Sequence, residues 1–161
     1  MDCLANTDQC CEEIRTLSYV LHPPQLDELG LAGAVRDFAE GFARRSGLKL
    51  ELDLPAETAP RLPREIEMAL FRVLQESLGN VHRHSGSKTA NVRLQRSAVE
   101  VRLEVQDSGR GLNPTSQTTG LGVGIAGMQE RMKQVGGWLE LDSKTTGTTV
   151  RAVVPLGTKK S

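Results

Sequence analysis

Aromatic side chains are scarce in this chain: Tyr19, Phe38, Phe42, Phe71 and Trp138 make up 3% of 161 residues. Proteins that grip single-stranded nucleic acid by stacking need more such platforms, so that class is not expected. An excess of either charge is also missing, because Lys plus Arg and Asp plus Glu each number 20. Bulk capture of nucleic acid or direct contact with an anionic membrane surface requires a basic surplus, whereas a small local phosphate site is compatible with neutrality. No apolar run approaches the ~18 residues that span a bilayer, and no secretory hydrophobic stretch follows Met1. Cysteine is confined to Cys3, Cys10 and Cys11, with no C-x-x-C pair at zinc spacing. Neighbouring cysteines bridge each other poorly, so these read as small residues in a reducing compartment, and the cytoplasm is the expected location.

The rest of the composition is that of a globular protein, with 38% hydrophobic and 25% charged residues. One domain with a short appendage is expected.

Periodicity supplies the elements. From about Asp8 to Leu21, Ile14, Leu17 and Leu21 repeat on one helical side, and Pro23-Pro24 ends that run. A second helix carries Leu31, Ala34, Val35, Phe38, Ala39 and Phe42 and stops at Gly47. Leu48 to Leu54 alternates strictly, as a strand with one face buried does. A long helix starts near Pro63 and runs to about His84, with Ile66, Ala69, Leu70, Val73, Leu74, Ser77 and Val81 facing inward. Asn91–Arg96 and Val99–Val105 read as a hairpin around Ser97-Ala98. A short helix from about Ile125 to Val135 stops at Gly136-Gly137. A last hairpin pairs 138–141 with 149–154 around Thr145-Thr146-Gly147. About five strands, mostly in hairpins, with three or four helices predict an α+β two-layer sandwich. Its sheet is expected to be mixed and mainly antiparallel, with helices on one face.

Three clusters carry chemistry. The long helix ends in Gln75-Glu-Ser-Leu-Gly-Asn-Val-His-Arg-His-Ser85, where Glu76, Asn80 and His84 follow one another at i, i+4 along one ridge. That ridge borders the apolar stripe, where polar groups need partners. An Asn amide oxygen is a ligand that Mg²⁺ accepts beside waters and phosphate oxygens, and Arg83 and His84 offer donors to a phosphate chain. The same residues also fit a solvated helix end stabilised by its dipole. His82 and His84, two residues apart, point to opposite sides and do not form a metal pair.

The second cluster, Asp107-Ser-Gly-Arg-Gly-Leu112, follows the strand that ends at Val105. An ionised Asp is acceptor-only, suited to the exocyclic amino group of adenine and repelled by the guanine carbonyl. Gly109 and Gly111 allow close backbone approach to a flat ligand. An ordinary strand-to-turn Asp-Ser-Gly reads the same way.

In the third cluster, Gly122, Gly124 and Gly127 satisfy G-x-G-x-x-G, but the preceding Asn113–Thr119 cannot form the buried strand a dinucleotide fingerprint needs. A polar loop whose glycines feed a helix N-terminus is what that segment supports. No G-x-x-x-x-G-K-[ST] is present.

Taken in this order and spacing, the clusters resemble the ATP-binding catalytic domain of bacterial sensor histidine kinases, of the GHKL superfamily with the Bergerat fold. Glu76–Ser85 resembles its N box, Asp107-Ser-Gly-Arg-Gly its first glycine box, Gly122-Val-Gly-Ile its second, and Thr146–Val150 its closing Gly-Thr element. Ile14–Leu31 together with Gly127-Met-Gln-Glu-Arg-Met132 resembles the subfamily paired with helix-turn-helix response regulators.

The resemblance implies ATP and Mg²⁺ as cofactors. Mg²⁺ ligation falls to Asn80 and adenine recognition to Asp107. Gly109 and Gly111 shape the base pocket and Thr148 supports its water network. Arg83 and His84 face the phosphates, Gly122 and Gly124 hinge a lid over residues 113–124, and Glu76 is the acidic member of the N box. It also implies a homodimer in the intact kinase and a response-regulator partner. The family's phosphoacceptor motif, an Arg-Glu-Leu-His-Asp-like helix, has no match here, and His22 is not its equivalent. Residues 1–24 are therefore expected to be the end of the dimerisation and phosphoacceptor hairpin, with 25–161 as the catalytic domain, unable to phosphorylate itself alone. A GHKL serine kinase or ATPase of the anti-sigma type and a nucleotide-binding pseudo-kinase module are the competing readings.

Overall fold

In the computed structural model, which describes residues 23–56, 59–112 and 121–157, the alternating segments form β1 (Lys49–Asp53), β2 (Thr89–Arg96), β3 (Glu100–Asp107), β4 (Trp138–Lys144) and β5 (Gly147–Pro155). The 3.6-residue patterns form α1 (Pro24–Ser46), α2 (Arg64–Asn80) and α3 (Leu121–Gln134). One sheet runs in the order β1-β2-β3-β5-β4. Only β1 and β2 are parallel; the other three pairings are antiparallel. The expected helix over 8–21, the three cysteines, His22 and the 113–120 segment lie outside the described residues.

The β2–β3 alternation is strict. Ala90, Val92 and Leu94 are buried opposite Asp107, Val105 and Leu103, with Val101 next on the same face. Their inner face meets α2, whose Leu70, Val73, Leu74 and Leu78 are fully enclosed with Phe71. Sequence periodicity missed Phe71 and Leu78 and placed Ile66 too deep, since Ile66 is only half-buried. The burial band on α2 is wider than one stripe because α1 and α3 both pack against it. β1 falls short of the expected buried face: Leu50 and Leu52 are only partly covered, as befits an edge strand.

The opposite face of the sheet carries a charge ladder. Asp53, Arg93, Glu104, Arg151 and Glu140 stand directly opposite one another across all five strands. Arg93 bonds Asp53 at 2.8 Å, while Arg151 bonds Glu104 at 2.7 Å and Glu140 at 3.1 Å. The hydrogen bond from the Trp138 indole and that from Arg151 hold the Glu140 carboxyl below its ordinary range. Hydrogen bonds to Glu104 and Glu140 hold the Arg151 guanidinium above its own. Among the described residues no helix is long and apolar enough to cross a membrane.

Candidate functional site

The end of α2 and the end of β3 meet at one slot. After Asn80 the helix does not stop but widens into a π turn over Val81–Ser85. Single π turns inside helices occur preferentially at functional sites. This one is locked from within, because the Ser85 hydroxyl donates to Val81 O at 2.7 Å and accepts the Ser87 N–H at 2.9 Å. Gly86, at φ 68°, then turns the chain toward β2. Here the expected helix over 63–84 is corrected in its last turn.

Ser85 O receives the Arg110 N–H at 3.0 Å, and the Arg110 side chain donates to His84 O at 3.0 Å. Gly109 passes so close that a Cβ there would overlap Ser85 O and stand 2.7 Å from Ser85 Cβ. Gly111, at φ 72°, would likewise overlap Lys144 O. These are the two expected glycines, each demanded by backbone contact.

Asp107 is the last residue of β3 and continues the inward alternation of Val101, Leu103 and Val105, so its carboxylate occupies a core position. It is 6% exposed and accepts the Gly109 N–H at 2.8 Å through Oδ1. Around it Val105, Ile125, Leu141 and Val150 supply apolar walls, with Thr148, Asn80 and His84 on the polar rim, in a cleft of about 450 Å³. One buried acceptor on the floor of an apolar slot is the arrangement that orients a flat heterocycle.

Thr148 Oγ1 lies 3.1 Å from Ser143 Oγ, which also accepts the Leu112 N–H at 2.7 Å. Sequence reasoning named Thr148 but missed Ser143, Ser85 and Ser77, whose hydroxyl meets Met128 Sδ at 3.7 Å. Ser143 was legible, because counting outward from the Thr145-Thr146 turn places it opposite Thr148.

Glu76 and Asn80 share the expected ridge, bridged by Arg83: its Nη2 is 3.5 Å from Glu76 Oε1 and donates to Asn80 Oδ1 at 3.3 Å. His82 points elsewhere, edge-on to Phe42 at 6.0 Å. Gly122 and Gly124 lie in the first turn of α3, which begins earlier than expected, and a Cβ at Gly124 would overlap Glu76 Oε1. All ten residues singled out in the sequence thus fall on the elements that frame this cleft. Among the described residues no three His, Cys, Asp or Glu side chains gather as a metal cluster.

A mixed five-stranded sheet backed by helices, with this slot between α2, α3 and the β3 end, is the architecture of a nucleotide-binding α+β domain. Residues 65–158 match the family of histidine kinase-, DNA gyrase B-, and HSP90-like ATPases, and the chain belongs to it. Curated relatives include the sensor histidine kinase MctS of Rhizobium johnstonii, 37% identical over 89% of this chain and 32% of its own length. The oxygen sensor histidine kinase NreB of Staphylococcus carnosus is 34% identical over 90% of this chain and 42% of its own. The chain therefore spans about a third to two-fifths of these relatives. The histidine kinase domain of the Erythrobacter litoralis EL346 blue-light activated histidine kinase shares the fold, with a TM-score of 0.69 at 20% identity over 83% of this chain and 69% of that one. The chain is an ATP-binding catalytic domain of the sensor histidine kinase type.

Proposed function

We propose that this domain binds ATP with its adenine on Asp107 and presents the γ-phosphoryl group to a histidine in a segment N-terminal to this sequence. In that assignment residues 1–24 are the end of a dimerisation and phosphoacceptor hairpin, and a response-regulator aspartate receives the phosphoryl group next. The observation that carries the reading is Asp107 itself, an acceptor-only carboxylate at the floor of an apolar slot. Adenine offers an amino hydrogen there, whereas guanine offers a carbonyl that the carboxylate repels.

The other residues take roles that follow from their places. Gly109 and Gly111 keep the slot flat, and Thr148 with Ser143 offers hydroxyls to water at its edge. Asn80 Oδ1 already accepts a cationic N–H, so it is a competent oxygen donor for a divalent cation. One amide oxygen without a carboxylate cluster suits Mg²⁺ that keeps waters and phosphate oxygens as its other ligands. Bound there, Mg²⁺ would supply charge neutralisation on the phosphates. Arg83 and His84 face the phosphate end. Glu76, beside the first turn of α3, senses where that helix sits, and Gly122 and Gly124 let it approach.

Phosphoryl transfer asks mainly for position and charge compensation, which this frame supplies. Calorimetric titration with ATP and GTP, with and without Mg²⁺, tests the reading. ATP is expected to bind at least tenfold more tightly than GTP, with affinity falling when Mg²⁺ is chelated. Equal binding of the two nucleotides, or none, overturns it.

A further inference from the structure

The first helix is broken at one residue. Gly30 has φ 69° and ψ 179° inside an otherwise helical run from Pro24 to Ser46. That backbone region is essentially reserved for glycine, and the break strands the carbonyls of the turn before it. Two of them are captured from another part of the chain. Arg61 donates from Nη2 to Leu26 O at 2.6 Å and from Nη1 to Asp27 O at 3.1 Å.

Arg61 is held in turn by Glu67 on α2. Its Nε reaches Oε1 at 3.0 Å and its Nη2 reaches Oε2 at 2.8 Å, while the Leu62 N–H adds a third bond to Oε1 at 3.2 Å. Glu67 is 2% exposed. Arg64 ties the same turn a second time through Asp27 Oδ2 at 3.2 Å. A Cβ on Gly30 would press on Arg61 Cδ at 3.4 Å, so kink and clamp fit each other.

Glu67 precedes Glu76 by nine residues, about 13 Å along α2 at 1.5 Å per residue, and takes no part in the nucleotide slot. Packing alone would be served as well by apolar residues of similar volume, since buried ion pairs are costly to desolvate. What the fork adds is direction, because it fixes two carbonyls of a short turn in space.

We propose that Arg61 and Glu67, acting through the Gly30 kink, are positioning residues that set the angle at which the chain preceding Pro24 leaves the domain, and so aim the nucleotide at the accepting histidine. The aim rests on the transfer reading above; the clamp does not.

The test uses the full 161-residue chain with Cys3, Cys10 and Cys11 changed to Ser and spin labels at exposed positions 28 and 51. Pulsed-EPR distances are expected to form one narrow peak and to broaden in Glu67→Gln and Arg61→Lys, while the ADP-induced thermal shift stays the same. Arg61→Lys keeps a charge opposite Glu67 but loses the fork, so it decides the matter even where Glu67→Gln fails to fold. An unchanged narrow peak in Arg61→Lys overturns the clamp. The chain is then fused behind a histidine-bearing dimerisation segment. There the variants are expected to lower kcat for phosphotransfer at least tenfold, with KM for ATP within twofold. A KM that rises in step with the loss of kcat overturns the positioning role. If the unmutated fusion transfers nothing, the transfer reading and the aim fall together while the EPR result still judges the clamp.

Discussion

The Glu76 carboxylate fills the space that a side chain at Gly124 would need: a Cβ there would overlap Oε1 and lie 3.1 Å from Cδ. The end of α2 and the start of α3 are thereby set as close as a glycine allows. Gly124→Ala is expected to fold, because the obstacle is the tip of a flexible side chain and alanine favours a helix by up to about 1 kcal/mol. Phosphotransfer or ATP turnover should nevertheless fall several-fold as Glu76 is displaced. Urea denaturation beside a turnover assay separates the two effects, and unchanged turnover would remove Glu76 from the site.

Asp107→Asn preserves shape but places an amide where an acceptor-only group stands. A charge-assisted hydrogen bond of this kind is worth about 1.5–3 kcal/mol. ATP affinity is therefore expected to drop at least tenfold by calorimetry, and discrimination against GTP should shrink with it. The adenine assignment does not survive an unchanged dissociation constant.

Gly147 stands at φ 141°, and a Cβ there would overlap the backbone oxygen of Asp107. Gly147→Ala should cost about 1–3 kcal/mol in backbone strain alone. It should also weaken nucleotide binding, because the strand end that carries Asp107 must shift. Denaturant midpoints and ADP titration of the same sample check both parts.

Arg83→Ala removes an exposed guanidinium whose contacts with Glu76 and Asn80 are 3.5 and 3.3 Å long. Exposed pairs contribute about 0–1 kcal/mol, so the fold should be almost unaffected. ATP binding should weaken several-fold while adenosine binding does not. Equal losses for both ligands would move Arg83 away from the phosphate end.

Glu140 supplies the pH prediction. Its carboxyl lies below the ordinary value because Trp138 and Arg151 donate to it. The stabilisation is complete above the unfolded value of 4.5 and is lost as pH falls through the lower folded value. Glu140→Gln should therefore be slightly less stable than the parent at pH 7, by less than about 1 kcal/mol for so exposed a pair. The difference should vanish as pH falls below the folded value. Urea melts at neutral and acid pH decide it.

The strands and helices were legible because burial alternates so regularly here: 90, 92 and 94 against 101, 103 and 105. The same alternation extended to 107 would have shown that Asp107 is enclosed, and stopping the strand at Val105 hid this. The glycines at 109, 111, 122 and 124 were visible as punctuation, but the atoms that crowd 109, 111 and 124 lie 20 or more residues away in the chain. The π turn was not legible, since Val81–Ser85 keeps a helical pattern and only the hydroxyl of Ser85 reveals the extra width. Nor was the Gly30 kink, for its cause is Arg61, 31 positions downstream. Glu67 looked like any first-turn acid until its partner was found.

The row of alternating signs across the outer sheet face has an odd number of rungs, and both outermost rungs, Asp53 and Glu140, are acidic. A second molecule extending this sheet side by side in that register would set carboxylate against carboxylate at the seam. Like charges directly opposite each other disfavour strand pairing. The fold thus holds its own five strands together with the same residues that discourage a sixth from a neighbour, a safeguard against polymerisation in a protein whose two borders would otherwise offer open backbone.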